Sequence, residues 1–447
     1  MHAAVPDTRG VKVSDFKVIA SLLASLYLLI PNFGPLASEA ESTKHPSQSN
    51  QLRLAPGDYK QNYADADYTT DSLSLENRVG TPANLKQVAT ATHLGLPDLP
   101  VPDGNKPTAE KIALGRKLFF DRRLSRNKTM SCAMCHIPEQ GFTNNELARP
   151  IGFEGRGLKR NAPTILNVAF YRRLFWDSRE FSLEQQVWAP LLAANEMNNP
   201  SIGYVIETIR AASDYDGLFE TAFNAPVNMQ SIGQALAQYE RALIGGNSRF
   251  DRWYFGGDKS AMSATEVDGF KVFTGKGRCA QCHLVGPDSA LFTDHQLHNT
   301  GIGYADSMLK DNQPVPVQLA PGISTRMDPA QIASVSEGKP NDLGAYEVSQ
   351  DPVDRWKFRT PILRNVTLTA PYMHNGDLLT LEEVVEFYNQ GGVANESLSP
   401  LIQPLGLSVA EKESLLAFLN TLNSDNLRTL VADAFAAPIG DTGSEEQ

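Results

Sequence analysis

The chain is short of the residues that mark a disulfide-stapled or nucleic-acid-binding protein. Four cysteines in 447 residues are too few for the dense bridge framework of small secreted domains. Positive charge is also scarce. With 40 Lys and Arg against 51 Asp and Glu the formal net charge is -11, which argues against a nucleic-acid partner and favours a basic protein partner through long-range attraction. Only eight histidines occur, and none lies between His136 and His283. No apolar run is long enough to cross a hydrocarbon core of about 30 Å as a helix. The apolar stretch from Val18 to Ile30 follows Arg9, Lys12 and Lys17 and precedes Ala37, Ser38 and Ala40. That order predicts a secretory signal peptide over 1–40, cleaved after Ala37 or Ala40, and a periplasmic product that does not span the membrane; an uncleaved anchor is the alternative.

Two copies of one motif stand against these absences. Cys132-Ala-Met-Cys135-His136 and Cys279-Ala-Gln-Cys282-His283 use all four cysteines, leaving none for a disulfide. Two thiols with two residues between them, followed at once by histidine, let one short turn bond both vinyl groups of a haem and set an imidazole on its iron. The competing use is one four-thiolate zinc site, with His136 and His283 as bystanders. A histidine behind each pair in an exported chain favours two covalently bound haem c groups, with His136 on the first iron and His283 on the second.

Composition divides the rest of the chain. Residues 41–93 are polar with little apolar periodicity and read as a flexible lead-in, and Leu94 to Pro107 reads as a Pro-rich strap. Thr108 is a candidate N-cap. Ser182 with Gln185, Ser231 with Gln234, Ser263 with Glu266, Thr380 with Glu383 and Ser408 with Glu411 have capping-box spacing, each before apolar residues at helical intervals. The expected fold is mainly α, with two cytochrome-c-like haem domains packed against each other. They are placed at 94–258 and 259–425, joined near Gly256-Gly257, with 426–447 a loose tail. Tyr304 to Trp356 reads as a surface excursion of the second domain.

The ordered series LGRKLFFDRRLSRN, SCAMCH, RNAPTILN, FWDSRE, ANEMN, CAQCH, KFRTPILRN, TAPYMHNG and TLEEVVEFYNQGG resembles the bacterial dihaem cytochrome c peroxidase and MauG family, and covers nearly all of Leu94 to Asn423. The resemblance implies that hydrogen peroxide meets the N-terminal haem, that the C-terminal haem relays electrons, and that a calcium ion lies between the domains. It assigns Glu196 as the acid/base of peroxide cleavage, Gln186 as the amide that positions peroxide or water, and Pro190 to the same pocket. Trp176 matches the tryptophan between the haems. Asp177 and Arg179 are read as a structural ion pair, and Ser178 stands where the family often has glycine. Asn161, Thr369 and Pro371 match the calcium ligands, the last two through backbone carbonyls, and oxygen donors suit that ion. Some relatives close the first iron with a second histidine. Here that position falls near Gly152, so the resting first iron is expected to be open unless His93 or a residue from the other haem domain reaches it.

The second haem carries the main departure. Relatives with a fast electron-relay haem place a methionine where this chain has Tyr388. Leu381, Val384, Val385 and Tyr388 fall on one face of the capped helix. Tyr388 as sixth ligand of the second iron, Tyr388 as a hydrogen-bonded core residue, and Met373 as a substitute ligand all stay open. An anionic oxygen donor would favour ferric and higher states where a thioether favours ferrous. By the same resemblance His374 supports haem propionates or a water chain, and His295 and His298 are structural or contact propionates.

Three functions follow. The first is a periplasmic dihaem peroxidase supplied by a small electron carrier such as a cytochrome c or cupredoxin. The second is a MauG-like enzyme that uses peroxide to oxidise residues of a partner protein. The third is a dihaem electron-transfer protein without turnover. The oligomeric state is left open, a homodimer among the options.

Overall fold

The structure is a computed structural model that describes residues 80–308 and 341–437, Asp328, Gln331, and the backbone of 315–320 and 323–327. The expected signal peptide, most of the lead-in and the last ten residues lie outside the described residues.

Helix starts follow side-chain capping. Asn84 accepts from the Gln87 N–H to begin α1 (Leu85–Thr90), and Thr108 accepts from the Lys111 N–H to begin α2 (Ala109–Phe120). There follow α3 (Leu183–Gln186), α4 (Trp188–Leu192), α5 (Ile202–Arg210), α6 (Leu218–Phe223), α7 (Met229–Ala242) and α8 (Arg249–Tyr254). The remainder are α9 (Ala264–Thr274), α10 (Ile302–Met308), α11 (Tyr346–Ser349), α12 (Leu381–Asn389), α13 (Val409–Asn420) and α14 (Leu427–Phe435). The capping boxes Ser263–Glu266, Thr380–Glu383 and Ser408–Glu411 all form. Two starts differ from expectation. Helix α7 begins at an Asn228 cap, and Ser231 is its reciprocal partner rather than the cap; asparagine caps as well as serine, and a serine hydroxyl can return the bond that Glu or Gln usually makes. Ser182 makes no side-chain cap bond.

Strands are few, as a mainly α reading requires. Among the described residues β1 (Leu297–His298) pairs antiparallel with β4 (Phe358–Arg359), and β2 (Val315–Ala320) pairs with β3 (Ile323–Met327) within the Tyr304 to Trp356 segment.

Apolar side chains gather into two main cores. The first takes Leu118 and Phe119 of α2 and Ile232, Leu236 and Tyr239 of α7. The second takes Phe273 of α9, Val385 of α12 and Leu415 and Phe418 of α13. One device builds both. A Cβ on Gly115 of α2 would lie 1.9 Å from the Ala235 carbonyl oxygen of α7, and a Cβ on Gly269 of α9 would lie 1.8 Å from the Ser414 oxygen of α13. Backbone therefore meets backbone where the helix before each Cys-x-x-Cys-His crosses a partner distant in sequence, and the internal likeness of the two halves becomes a repeated helix crossing.

Core membership corrects the outer limits of the sequence reading. Leu430, Val431 and Ala434 of α14 are buried in the first core, and Asp433 receives Arg116 at 2.5 Å and the Ala83 N–H at 2.8 Å. The C-terminal stretch is therefore a packed helix through Phe435, and α1 packs Leu85 and Ala89 into the same core at the end of the supposed lead-in. Both segments are too short for periodicity to stand out, and their contacts are with residues far away in sequence. Phe250, ahead of Gly256-Gly257, belongs to the second core.

A fully buried ion pair ties these parts together. Arg364 forks onto Asp251 at 2.7 and 2.9 Å and donates to the carbonyls of Ala290 at 2.8 Å and Gly95 at 2.6 Å; neither charged side chain has any exposure. Removing one partner strands the other charge in the interior. Arg364→Ala is expected to cost about 3–5 kcal/mol, read as a lower urea midpoint of the holoprotein, and an unchanged midpoint would contradict this role.

Candidate active site

Each Cys-x-x-Cys-His motif is a single 3₁₀ turn, over Cys132–Met134 and over Cys279–Gln281. The Cys135 and His136 N–H groups both reach the Cys132 carbonyl, at 3.2 and 3.0 Å, and those of Cys282 and His283 reach the Cys279 carbonyl at 3.2 and 2.8 Å. All four thiols are free. The turn thus puts both sulfurs and the imidazole on the same wall.

The two motifs line separate cavities, the first of about 400 Å³ around Cys132, Cys135 and His136 and the second of about 200 Å³ around Cys279, Cys282 and His283. A zinc site shared by the four thiols is excluded by that separation. Nδ1 of His136 lies 3.3 Å from the Phe142 carbonyl and Nδ1 of His283 lies 2.7 Å from the Phe292 carbonyl. Nδ1 can only donate to a carbonyl, so Nε2 keeps its lone pair for a metal. Burial also pushes both imidazole pKa values down, favouring the neutral ligand form. Two thiols and one tautomer-fixed imidazole on the wall of each cavity fit a c-type haem there.

The first cavity gathers the residues of the expected peroxide site. Gln186 at the end of α3, Pro190 in α4, and Asn195, Glu196 and Met197 after α4 all line it. The Glu196 loop is pinned through the backbone: its N–H reaches the Ala193 carbonyl and its carbonyl accepts from Phe153, each at 3.0 Å. Burial raises the Glu196 pKa, and the Arg179 charge pulls it back in part. Gly152 lies against this loop so closely that a Cβ would sit 2.1 Å from the Asn195 oxygen. A ligating side chain therefore has no room at that position. His93 does not line the cavity; its Nε2 is 2.8 Å from the Val88 carbonyl.

One lining residue escaped the sequence reading. Glu240 of α7 is buried, faces the first cavity, and has its pKa pushed up to about 8 by desolvation. The available signal was a carboxylate on the buried side of a helix that crosses the core.

Trp176 lines both cavities, and its Nε1 donates to the Asn161 carbonyl at 2.9 Å. Asp177 and Arg179 pair at 2.8 Å, as read, and Asp177 also receives Arg160 at 2.6 Å. Ser178 has φ of 60°, a left-handed conformation that glycine adopts readily, in keeping with the glycine that the family resemblance implies at this place. Arg359 lines both cavities too, and the sequence reading gave it no part. On the calcium reading, Nδ2 of Asn161 lies 3.0 Å from the Pro371 carbonyl, and Thr369 is two residues away in the chain. The fit is partial: a cation there requires the Asn161 amide reversed, so that its oxygen faces the Pro371 oxygen.

In the second cavity Leu381, Val384, Val385 and Tyr388 share the lining with Met373, His298 and His374. Burial raises the Tyr388 pKa, so the phenol stays protonated unless a cation draws the proton off. His374 stacks on Phe358 with ring centres 3.5 Å apart. His298 pairs with Asp294 at 2.7 Å, whereas His295 packs edge-on to Tyr171 and does not line the cavity.

A model of the di-haem cytochrome c peroxidase family matches residues 109–260. The methylamine utilization protein MauG of Methylorubrum extorquens is 37% identical over 331 residues, covering 73% of this chain and 82% of that protein. The chain belongs to the dihaem cytochrome c peroxidase and MauG family. Cytochrome-c peroxidase IdrP1 of Pseudomonas sp. (strain SCT) is 38% identical, covering 73% of this chain and 84% of its own. A crystal structure of a MauG-like protein associated with microbial copper homeostasis superposes with a TM-score of 0.62 at 32% identity, over 78% of this chain and 99% of that one. As a member of this family the chain is a haem oxidoreductase, and relatives on both the peroxidase and the MauG side resemble it almost equally. Among the described residues no helix is long and apolar enough to cross a membrane.

Two measurements test this arrangement. Cys132→Ala with Cys135→Ala is expected to leave about half the covalent haem, as pyridine haemochrome, because each motif holds its own group; full loss or full retention would contradict two independent sites. Glu240 holds a proton in the folded protein that the unfolded chain releases near 4.5. Stability should therefore fall as pH rises from there through about 8, and thermal unfolding of Glu240→Gln should show a flatter pH dependence across that window. Parallel curves for the two proteins would remove Glu240 as the cause.

Proposed function

We propose that the enzyme is an exported dihaem c-type peroxidase that reduces hydrogen peroxide in the first cavity, with electrons from a protein donor relayed through the second. One observation carries this reading: His136, Glu196 and Gln186 share a cavity in which, among the described residues, no second histidine joins the lining. Cys132, Cys135 and His136 would hold a haem there, which would supply the redox chemistry of peroxide reduction.

The chain's own groups supply the proton chemistry. The Glu196 carboxylate accepts the proton from the peroxide oxygen nearer His136 and returns it to the outer oxygen, which leaves as water. In balance, one peroxide, two electrons and two protons give two waters. Burial raises the basicity of Glu196, which strengthens it as a proton acceptor. The Gln186 amide orients the outer oxygen. Trp176, in the wall common to both cavities, offers the route by which electrons reach the first site. A calcium ion held by Asn161, Thr369 and Pro371 would brace the same wall beside Trp176.

A second reading rests on Tyr388. A phenolate from Tyr388 would favour the oxidised states of a haem held there where a thioether would favour the reduced one, so electrons drawn from side chains of a partner protein would reduce the peroxide and leave those side chains oxidised. Under this reading the enzyme modifies its partner and a small carrier is not its donor.

Glu196→Gln is expected to lower peroxide turnover with a reduced small cytochrome c by about 10²–10⁴-fold with both haems retained. The wild-type rate should fall as pH drops through the raised Glu196 pKa, because only the carboxylate can accept the proton, and the variant should lose that limb. A variant turning over at the wild-type rate would remove Glu196 from the mechanism. Tyr388→Phe is expected to change the low-spin electron paramagnetic resonance signal of the second haem; an unchanged signal makes Tyr388 a core residue and sinks the second reading.

A further inference from the structure

Arg359 is a buried cation without a buried anion. It is 4% exposed, in β4, and lines both cavities. Its backbone N–H reaches the Trp176 carbonyl at 2.7 Å, its Nε donates to the Phe175 carbonyl at 3.0 Å, and its guanidinium stacks 3.4 Å from the centre of the Tyr171 ring. Nη1 has no hydrogen-bond partner, and no carboxylate forms an ion pair with this arginine among the described residues.

The other cations of the first cavity are already matched. Arg160 is held by Asp177 and Asp342, each at 2.6 Å, Arg179 by Asp177 at 2.8 Å, and Lys159 by Glu347. Asp177 acts on Arg359 only at longer range, and burial lowers the Arg359 pKa. An uncompensated buried charge costs several kcal/mol. Fixed by the Phe175 carbonyl and the Tyr171 ring, on a strand held to the Trp176 carbonyl by its own backbone N–H, this guanidinium is poised for an anion that the protein does not itself supply.

The only anions that the functional reading brings into these cavities are the propionates of the haems, and the inference rests on that reading. The geometry points to Arg359 as a shared propionate clamp, its guanidinium binding one haem carboxylate from each cavity. Its fork of five donors suits two carboxylates where a lysine offers one point charge. The consequence is electrostatic. One positive charge lies close to both haems, beside the Trp176 backbone, and favours the reduced state of both irons together.

The test uses the holoprotein and reads haem properties rather than turnover. Wild type, Arg359→Gln and Arg359→Lys are titrated spectroelectrochemically, with thioether-bound haem counted in each. Both midpoint potentials should fall in Arg359→Gln, because losing a cation stabilises ferric over ferrous iron. Arg359→Lys should recover most of that fall yet shift the propionate bending bands of both haems in resonance Raman spectra. A shift confined to one haem, or to neither, overturns the shared clamp. If Arg359→Gln does not fold, unchanged propionate bands in Arg359→Lys overturn it equally. Wild-type protein without two thioether-bound haems overturns the functional reading, and this inference falls with it.

Discussion

The whole arrangement depends on one hydrogen bond made twice, from the Nδ1 of a motif histidine to the carbonyl of a buried phenylalanine. Phe142 holds that carbonyl for His136 and Phe292 holds it for His283. Both phenylalanines are fully buried, and both have positive φ, at 56° and 57°. A bulky residue in that region is strained and persists only where its surroundings hold it there. The surroundings are the two cores, to which Phe142 and Phe292 respectively belong. Core packing thus holds a backbone turn, the turn aims a carbonyl, and the carbonyl fixes which imidazole nitrogen faces the cavity.

On this repeated frame the two halves differ in what faces the histidine. Around the first motif the wall carries a carboxyl, an amide and a proline, with Gly152 pressed against the Glu196 loop. Around the second it carries a phenol, a thioether and two further imidazoles, from Tyr388, Met373, His298 and His374. The first set can move protons and leaves space for a small oxidant, whereas the second is rich in groups able to coordinate or stabilise a metal. The proposed division of labour between peroxide chemistry and electron storage rests on that asymmetry, since the two Cys-x-x-Cys-His turns themselves are alike. Trp176 and Arg359 are common to both walls.

What was legible in the sequence was local. Cys-x-x-Cys-His spacing, the capping boxes at Ser263, Thr380 and Ser408, and the face shared by Leu381, Val384, Val385 and Tyr388 are all set within a few residues. Glu196 and Gln186 were found only through motif likeness, since a carboxylate after a short helix carries no signal of its own. The unseen features join distant residues. Asp251 meets Arg364, Arg116 meets Asp433, and the Gly269 backbone meets Ser414. Arg359 reads as one more charged residue until two cavities are found on either side of it. Positive φ at Phe142 and Phe292 is equally invisible, because phenylalanine gives no hint of it.

The central claim is an unequal pair, one haem open for peroxide and one closed by the protein. Electron paramagnetic resonance of the resting ferric holoprotein, before and after a stoichiometric addition of peroxide, tests it most directly. One high-spin and one low-spin haem are expected, with the high-spin signal lost when peroxide is added. Two low-spin haems whose signals peroxide leaves unchanged would contradict it.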